Sequence, residues 1–262
     1  NNFDILMHFA GYIKVEESVK YPEKYFKNNT ENSIKLFETC KDNGLNKIIF
    51  SSTAANYGMS GNAQVNENDD LNPQNPYAES KIQIENYLKN NELVYNFIIL
   101  RYFNVAGADH NLRSGQISKE STHLIKILSE AAVGNRDIVE IFGNDYKTPD
   151  GTAIRDYIHV SDLADIHLRV ARYLLETNES NLFNCGYGKG FSVLDVINTV
   201  NKITKNKIKY KYANRRQGDA ENLVSDITKL KKYIKWEPKY DNLENIIDSS
   251  VRWEKKLNEK NL

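Results

Sequence analysis

Cysteine is nearly missing from this chain: 262 residues carry only Cys40 and Cys185. Two cysteines build neither a disulfide framework nor a zinc-ribbon spacing, so a reducing, cytosolic compartment is expected. Charge of one sign is missing too. Lys plus Arg and Asp plus Glu both come to 35. No global basic field points to nucleic acid or to an anionic membrane. Neither a signal peptide nor an apolar run long enough to span a bilayer is evident. No internal repeat, low-complexity linker or metal-ligating cluster interrupts the chain. With 40% apolar and 27% charged residues the composition is that of an ordinary soluble protein, long enough for one large domain or two small ones.

What is present alternates. Phe3–Ala10 reads as an apolar strand that ends at Gly11. Residues 22–43 carry Phe26, Ile34, Phe37 and Cys40 at helical spacing, with Gly44 as the C-terminal cap. Lys47–Ser52 is a buried-type strand. Asn75 and Pro76 supply an N-cap and a first helical position for a helix running to about Asn90. Phe97–Phe103 is a further strand. This β-α-β-α-β rhythm predicts an α/β fold with a doubly wound parallel sheet and right-handed crossovers. After Asn104 the pattern changes. A polar loop over 107–121 precedes a helix near 121–134 and a strand at Val139–Phe142. A strand at Asp156–His159 leads into a helix near Ser161, and Phe183-Asn184 forms a short strand. A helix at 192–204, a strand around 208–212 and two closing helices follow.

Ligands of open parallel sheets bind beyond the carboxyl ends of the strands. Three strands here end in residues suited to that: Phe9-Ala10-Gly11, Ser51-Ser52-Thr53 and Phe103-Asn104. Tyr77 and Lys81 stand four apart and share a helix face. An ammonium beside a phenol favours the phenolate, which lets Tyr act as a base near neutral pH. With 16 tyrosines in the chain the spacing is weak by itself. Its placement one crossover after a strand ending in Ser and Thr makes it stronger, because that is the arrangement of the short-chain dehydrogenase/reductase superfamily.

Longer segments sharpen the resemblance. HFAGYIKVEESV at 8–19, FSSTAANYG at 50–58 and NPYAESK at 75–81 resemble segments of the UDP-glucose 4-epimerase family. So do LRYFNVAGA at 100–108, IFGNDYKTPDGTAIRDYIHVSDLADIH at 141–167 and RRQGDAENLVSD at 215–226. The resemblance spans nearly the whole chain in order. It implies a Rossmann-like NAD-binding domain over 1–104, with return segments near 155–188, and a smaller UDP-sugar-binding domain from 105–154 and 189–262. It also implies an NAD-dependent isomerase that interconverts UDP-hexose C4 epimers through a transient 4-keto sugar. Tyr77 would be the base, Thr53 would relay the proton of the 4-hydroxyl, and Lys81 would hold the nicotinamide ribose.

Phe9, Ala10, Gly11, Asn29, Ser51 and Phe103, with Tyr77 and Lys81, would line the cofactor. Asn104, His123, Phe142, Arg155, Arg216, Asp219 and Leu223, with Thr53, would line the UDP-sugar. Guanidinium forks suit a diphosphate and a carboxylate suits a ribose diol. His8 and His159, both in strands, read as packed structure. Where relatives often carry Lys two residues after Gly11, this chain has Ile13. Relatives restricted to UDP-glucose and UDP-galactose often have Tyr at the position of Leu223. Leucine there implies room for an N-acetyl group, and so turnover of UDP-GlcNAc and UDP-GalNAc as well. Relatives dimerise through two helices, here 22–43 and 76–90, so a homodimer is expected.

One family element is missing. No G-x-x-G-x-x-G turn, the pyrophosphate site at a helix N-terminus, lies upstream of Phe3. The resemblance implies a further ~70 residues of β-α units before it, so the chain reads as a fragment, an N-terminally mis-started sequence or a degenerate copy, expected to be poorly active or inactive alone. Two rival readings stand. A nucleotide-sugar-binding remnant without catalysis fits the missing turn. A nucleotide-sugar 4,6-dehydratase would need carboxylates where Ala54 and Ala55 stand.

Overall fold

A computed structural model describes residues 3–59, 63–118, 120–216 and 218–259. Gln217, in the segment 215–226, and Lys119, in the loop 107–121, lie outside the described residues. The chain opens with strand β1 (Leu6–His8), helix α1 (Val15–Lys20) and the short helix α2 (Pro22–Tyr25), which passes through a π-helical turn (Phe26–Glu31) into α3 (Asn32–Asp42). Strand β2 (Lys47–Thr53) ends in a 3-10 turn (Ala54–Tyr57), and α4 (Pro76–Asn90), β3 (Asn96–Tyr102) and β4 (Asn104–Ala106) follow. Next come α5 (Leu124–Ala132), β5 (Val139–Phe142), β6 (Ile154–His159), α6 (Val160–Thr177), β7 (Asn181–Cys185) and β8 (Gly190–Ser192). The chain closes with α7 (Val193–Thr204), β9 (Tyr210–Ala213), β10 (Asn222–Leu223), α8 (Thr228–Ile234) and α9 (Leu243–Glu259).

Strands β1, β2, β3 and β7 form one parallel sheet in that order. Side chains alternate across a strand with period two, and here both faces are apolar. Ile48 and Phe50 of β2 with Phe97 and Ile99 of β3 pack on Phe37 of α3 and on Ile84 and Leu88 of α4. Ile49, Ile98 and Leu100 face the other way, in the core that holds Ile166, Val170 and Leu174 of α6. Burial on both faces is what a parallel sheet with crossover helices requires. Strand β6 starts a second sheet, parallel to β4 on one side and β10 on the other, with β8 antiparallel to it. Strands β5 and β9 pair separately, also in parallel. Among the described residues no helix is long and apolar enough to cross a membrane.

Local signals explain several boundaries. Asn75 caps α4 by accepting the Ala78 N–H at 2.9 Å, with Pro76 at the first helical position. Gly44, at φ 82°, ends α3: its N–H reaches the Lys41 carbonyl and that of Leu45 reaches Cys40, the paired bonds of a Schellman cap. Ser192 and Asp195 form a reciprocal capping box on α7. Two expectations change. The strand expected over Phe3–Ala10 is paired only at Leu6–His8. The helix expected over 22–43 is not one α-helix, because the π turn interrupts it. That turn buries Asn29 and Thr30 and fastens them to α4: Thr30 Oγ1 donates to the Ser80 carbonyl, and Asn29 Nδ2 to the Ser80 hydroxyl. A π turn spends one extra residue to re-aim side chains and recurs at functional sites.

Candidate active site

Helix α4 packs on β2 and β3, and Lys81 reaches the carboxyl end of β2. Tyr77 begins α4, and Lys81 lies one turn further along. Lys81 Nζ donates to the Ser51 carbonyl at 2.9 Å and sits 4.9 Å from the Phe50 ring centroid. Only 4% of Lys81 is exposed, and burial pulls its pKa down to about 8. Among the described residues that ammonium makes a single hydrogen bond, so two of its three donors remain to be satisfied. Gly11 comes so close that a Cβ there would stand 3.2 Å from Asn29 Oδ1 and 3.4 Å from Lys81 Nζ. Bare backbone beside a buried ammonium with spare donors forms a cradle for a polar ligand such as a sugar diol.

Asn29, expected at the cofactor, braces the backbone next to Gly11. Its Oδ1 accepts the Tyr12 N–H at 2.8 Å and its Nδ2 donates to the Tyr12 carbonyl at 3.0 Å. The amide is spent on holding the Gly11–Tyr12 backbone in place. Beneath Lys81, His8 is lowered to about 4, by burial first and by the Lys81 charge second. His8 and His159 are both buried, as expected of packed histidines.

Thr53 ends β2, where its hydroxyl accepts the Ala55 N–H at 3.2 Å. Its own proton stays free for Tyr77. Burial raises the Tyr77 phenol, and the Thr53 hydroxyl is the group that opposes this by favouring the phenolate. The Lys81 ammonium itself is bonded to the Ser51 carbonyl. Ser51 itself is buried, its hydroxyl 2.7 Å from Tyr102 Oη, which is 2.6 Å from His167 Nε2. Phe9 and Ala10 are exposed, and the Phe9 ring centroid lies 5.0 Å from that of His167.

A second group lies toward the other sheets. The Arg216 guanidinium lies 4.7 Å from the Phe142 ring centroid, and its Nε donates to Asp219 at 3.0 Å. Arg215 pairs with Asp145 at 2.6 Å and covers the Tyr146 ring. Leu223 of β10 stands opposite Arg155 of β6 in the parallel register. Phe103, expected beside the cofactor, is buried with Ala54, Tyr57, Val65, Ala220 and Leu223. It therefore joins the Thr53 turn to the substrate-side residues. Asn104 and His123 line a small cavity of about 30 Å³ together with Tyr157, Gln116 and Trp253. Tyr157 escaped the sequence reading because one tyrosine among sixteen carries no spacing signal. It stands opposite Asn104 in the β4–β6 register.

Residues 1–186 match the model of the "NAD dependent epimerase/dehydratase family". A UDP-glucose 4-epimerase from Azospirillum brasilense is 44% identical over 256 residues, covering 97% of this chain and 74% of that protein. The solved UDP-Glc/GlcNAc 4-epimerase of Campylobacter jejuni is 48% identical, with a TM-score of 0.81 over 97% of this chain and 78% of that one. A UDP-glucose 4-epimerase structure from Stenotrophomonas maltophila, with bound NAD and formylated UDP-arabinopyranose, superposes with a TM-score of 0.94 at 30% identity. That similarity covers 98% of this chain and 77% of the other.

Proposed function

The chain belongs to the UDP-glucose 4-epimerases of the NAD dependent epimerase/dehydratase family, and on that premise we propose that it interconverts UDP-hexose C4 epimers with NAD as cofactor. One arrangement carries the proposal: Thr53, Tyr77 and Lys81 meet at the carboxyl ends of the parallel strands. The residues fit the cofactor. Lys81 offers spare donors to a ribose diol, and Gly11 leaves the backbone bare beside it. Bound NAD supplies a reversible hydride acceptor for sugar C4 and a positive ring charge that favours the Tyr77 phenolate.

The chain's own groups do the rest. Tyr77 Oη takes the proton of the 4-hydroxyl as general base and returns it to the 4-oxygen when the opposite epimer forms. Thr53 hydrogen-bonds the same oxygen and favours the ionised phenol. Arg155 and Arg216 bind the diphosphate and Asp219 the uridine ribose, while Phe142 faces the uracil. Asn104 and His123 complete the sugar side. Residues 1–104 with the return near 155–188 act as the cofactor-binding unit, and 105–154 with 189–262 as the UDP-sugar unit. We place the enzyme in the cytosol as a homodimer joined through residues 22–43 and 76–90.

The relative from Campylobacter jejuni is named for both UDP-Glc and UDP-GlcNAc. With Leu223 in place of a tyrosine, this supports turnover of the N-acetylated pair here as well. The test is a coupled assay in which UDP-galactose is supplied and UDP-glucose is oxidised by a dehydrogenase. Appearance of UDP-glucose is expected. A protein that binds NAD and UDP yet converts neither sugar would reduce the reading to a binding module.

A further inference from the structure

Glu85 lies one turn beyond Lys81 and two beyond Tyr77, on the same face of α4. It is fully buried, and the proposed reaction makes no use of it. Its Oε1 accepts the Ser52 hydroxyl at 2.6 Å and the Asn56 amide at 2.9 Å. Arg101 of β3 closes the carboxylate from the other side, with Nε on Oε1 at 3.0 Å and a terminal nitrogen on Oε2 at 2.6 Å. Arg101 also donates to Tyr57 Oη, which donates to Asn184 of β7. Burial pushes the Glu85 carboxyl up, and the Arg101 and Ser52 contacts, with the Lys89 ammonium 3.4 Å from Oε2, more than offset it, so the group stays ionised.

Ser52 precedes Thr53, and Asn56 lies within the 3-10 turn that Thr53 caps. One carboxylate on the Tyr77 helix therefore grips the Thr53 turn on both flanks. We propose that Glu85, seated by Arg101, is a positioning residue that sets the approach of Thr53 to Tyr77. This rests on the epimerase reading for its purpose, though not for its geometry.

A buried ion pair is poor evidence of a stability role, because well-packed apolar residues often do as well or better. What this pair gives is direction: it fixes one rotation of α4 against β2. A misplacement of about 1 Å at a reacting centre can cost on the order of a hundredfold in rate.

Asn56→Ala tests the grip while leaving the Glu85–Arg101 pair intact. It also removes Asn56 Oδ1, a buried acceptor with no partner among the described residues, so the variant should fold. Two measurements decide. The ionisation of Tyr77 is followed as the tyrosinate absorbance difference between each protein and its Tyr77→Phe counterpart. Tyr25 and Tyr102 also interact with Tyr77, and Lys81 lies one turn on. No side chain of the three bonds to Asn56 or Glu85 among the described residues, so their influence carries over unchanged.

In Asn56→Ala the Tyr77 titration should move to higher pH, as Thr53 loses its hold on the phenolate. In the epimerase assay kcat should fall on the order of a hundredfold, its rising limb shifted the same way, with KM for UDP-galactose little changed. Glu85→Gln, which keeps the shape and loses the charge, should shift both further. If it fails to fold, Asn56→Ala decides alone. A folded Asn56→Ala with the wild-type Tyr77 titration would overturn the proposal. A wild-type protein without epimerase activity would undo the functional reading, yet the titration would still settle whether Glu85 positions Thr53.

Discussion

The two halves of the site are held in opposite ways. Around Tyr77 the groups are dry and cross-braced: Lys81 on the Ser51 carbonyl, Glu85 on Ser52 and Asn56, Asn29 on Tyr12 and Ser80. Around Phe142 they are open. Arg216 and Asp219 form a half-exposed pair, and the Arg215–Asp145 pair is more exposed still. Exposed ion pairs contribute about 0–1 kcal/mol, so a ligand phosphate or ribose can take either partner at small cost. Chemistry that moves a proton demands fixed geometry, whereas binding a large charged ligand tolerates side chains that swing over from a neighbour.

Substitutions on the two sides should therefore fail differently. The largest effect belongs to the dry side. Tyr77→Phe removes the group that moves the proton, and kcat should drop roughly 10²–10⁴-fold. Affinity for UDP, measured by calorimetry, should stay where it was. Loss of UDP affinity in step with rate would mean that Tyr77 holds ligand instead of moving a proton.

Lys81→Met comes next and carries an unusual sign. The folded pKa of Lys81 lies at about 8, below its ordinary value of 10.5. Between these two values the unfolded chain binds more protons than the folded one, so stability rises with pH across that window. Below pH 8 the buried charge is a standing cost, of order 3 kcal/mol at about 1.4 kcal/mol per unit. Methionine should raise stability to urea at pH 7, flatten its dependence between pH 8 and 10.5, and lower turnover by less than Tyr77→Phe does. A variant less stable at pH 7 would show that the ammonium's bond to Ser51 outweighs its burial.

On the open side, Arg216→Met should raise KM or Kd for the UDP-sugar about 10–100-fold, the worth of one charged hydrogen bond, with kcat nearly intact. An equal fall in kcat would erase the distinction between the two halves.

How much of this was legible before the fold was known follows the same division. Strands β2 and β3 and helix α4 announce themselves through apolar runs and an Asn-Pro start, and the end of β2 and the start of α4 carry Thr53, Tyr77 and Lys81 of the candidate site. The place of Phe103 after β3 fits either ligand, and its packing with Ala54, Tyr57 and Leu223 could not be read from the sequence. The π turn carries no compositional mark. Glu85 and Arg101 escaped notice for a physical reason: a lone Glu and a lone Arg ordinarily face water, and only the register of β3 against α4 reveals that these meet in the core. The Lys81–Tyr77 pairing was read from spacing and from its place after a strand ending in Ser and Thr, which show a shared helix face but not where the ammonium turns.

Leu223 sits where the two halves meet, and it carries the smallest and most selective effect. It is buried among Ala54, Tyr57 and Phe103, beside the Thr53 turn and opposite Arg155 across the β6–β10 register. A tyrosine there cannot go deeper into a filled cluster, since forcing extra volume into packed surroundings costs about 1–3 kcal/mol. Its phenol must turn outward, toward the space beside Thr53 and Arg155 that the sugar is proposed to occupy. Leu223→Tyr should therefore lower kcat/KM for UDP-GlcNAc some 10–100-fold relative to UDP-glucose, the discrimination that a pocket wall of this size gives. Equal loss on both sugars would place Leu223 with the dry, structural side of the site. Loss confined to the acetylated pair would make it the wall that selects the substrate.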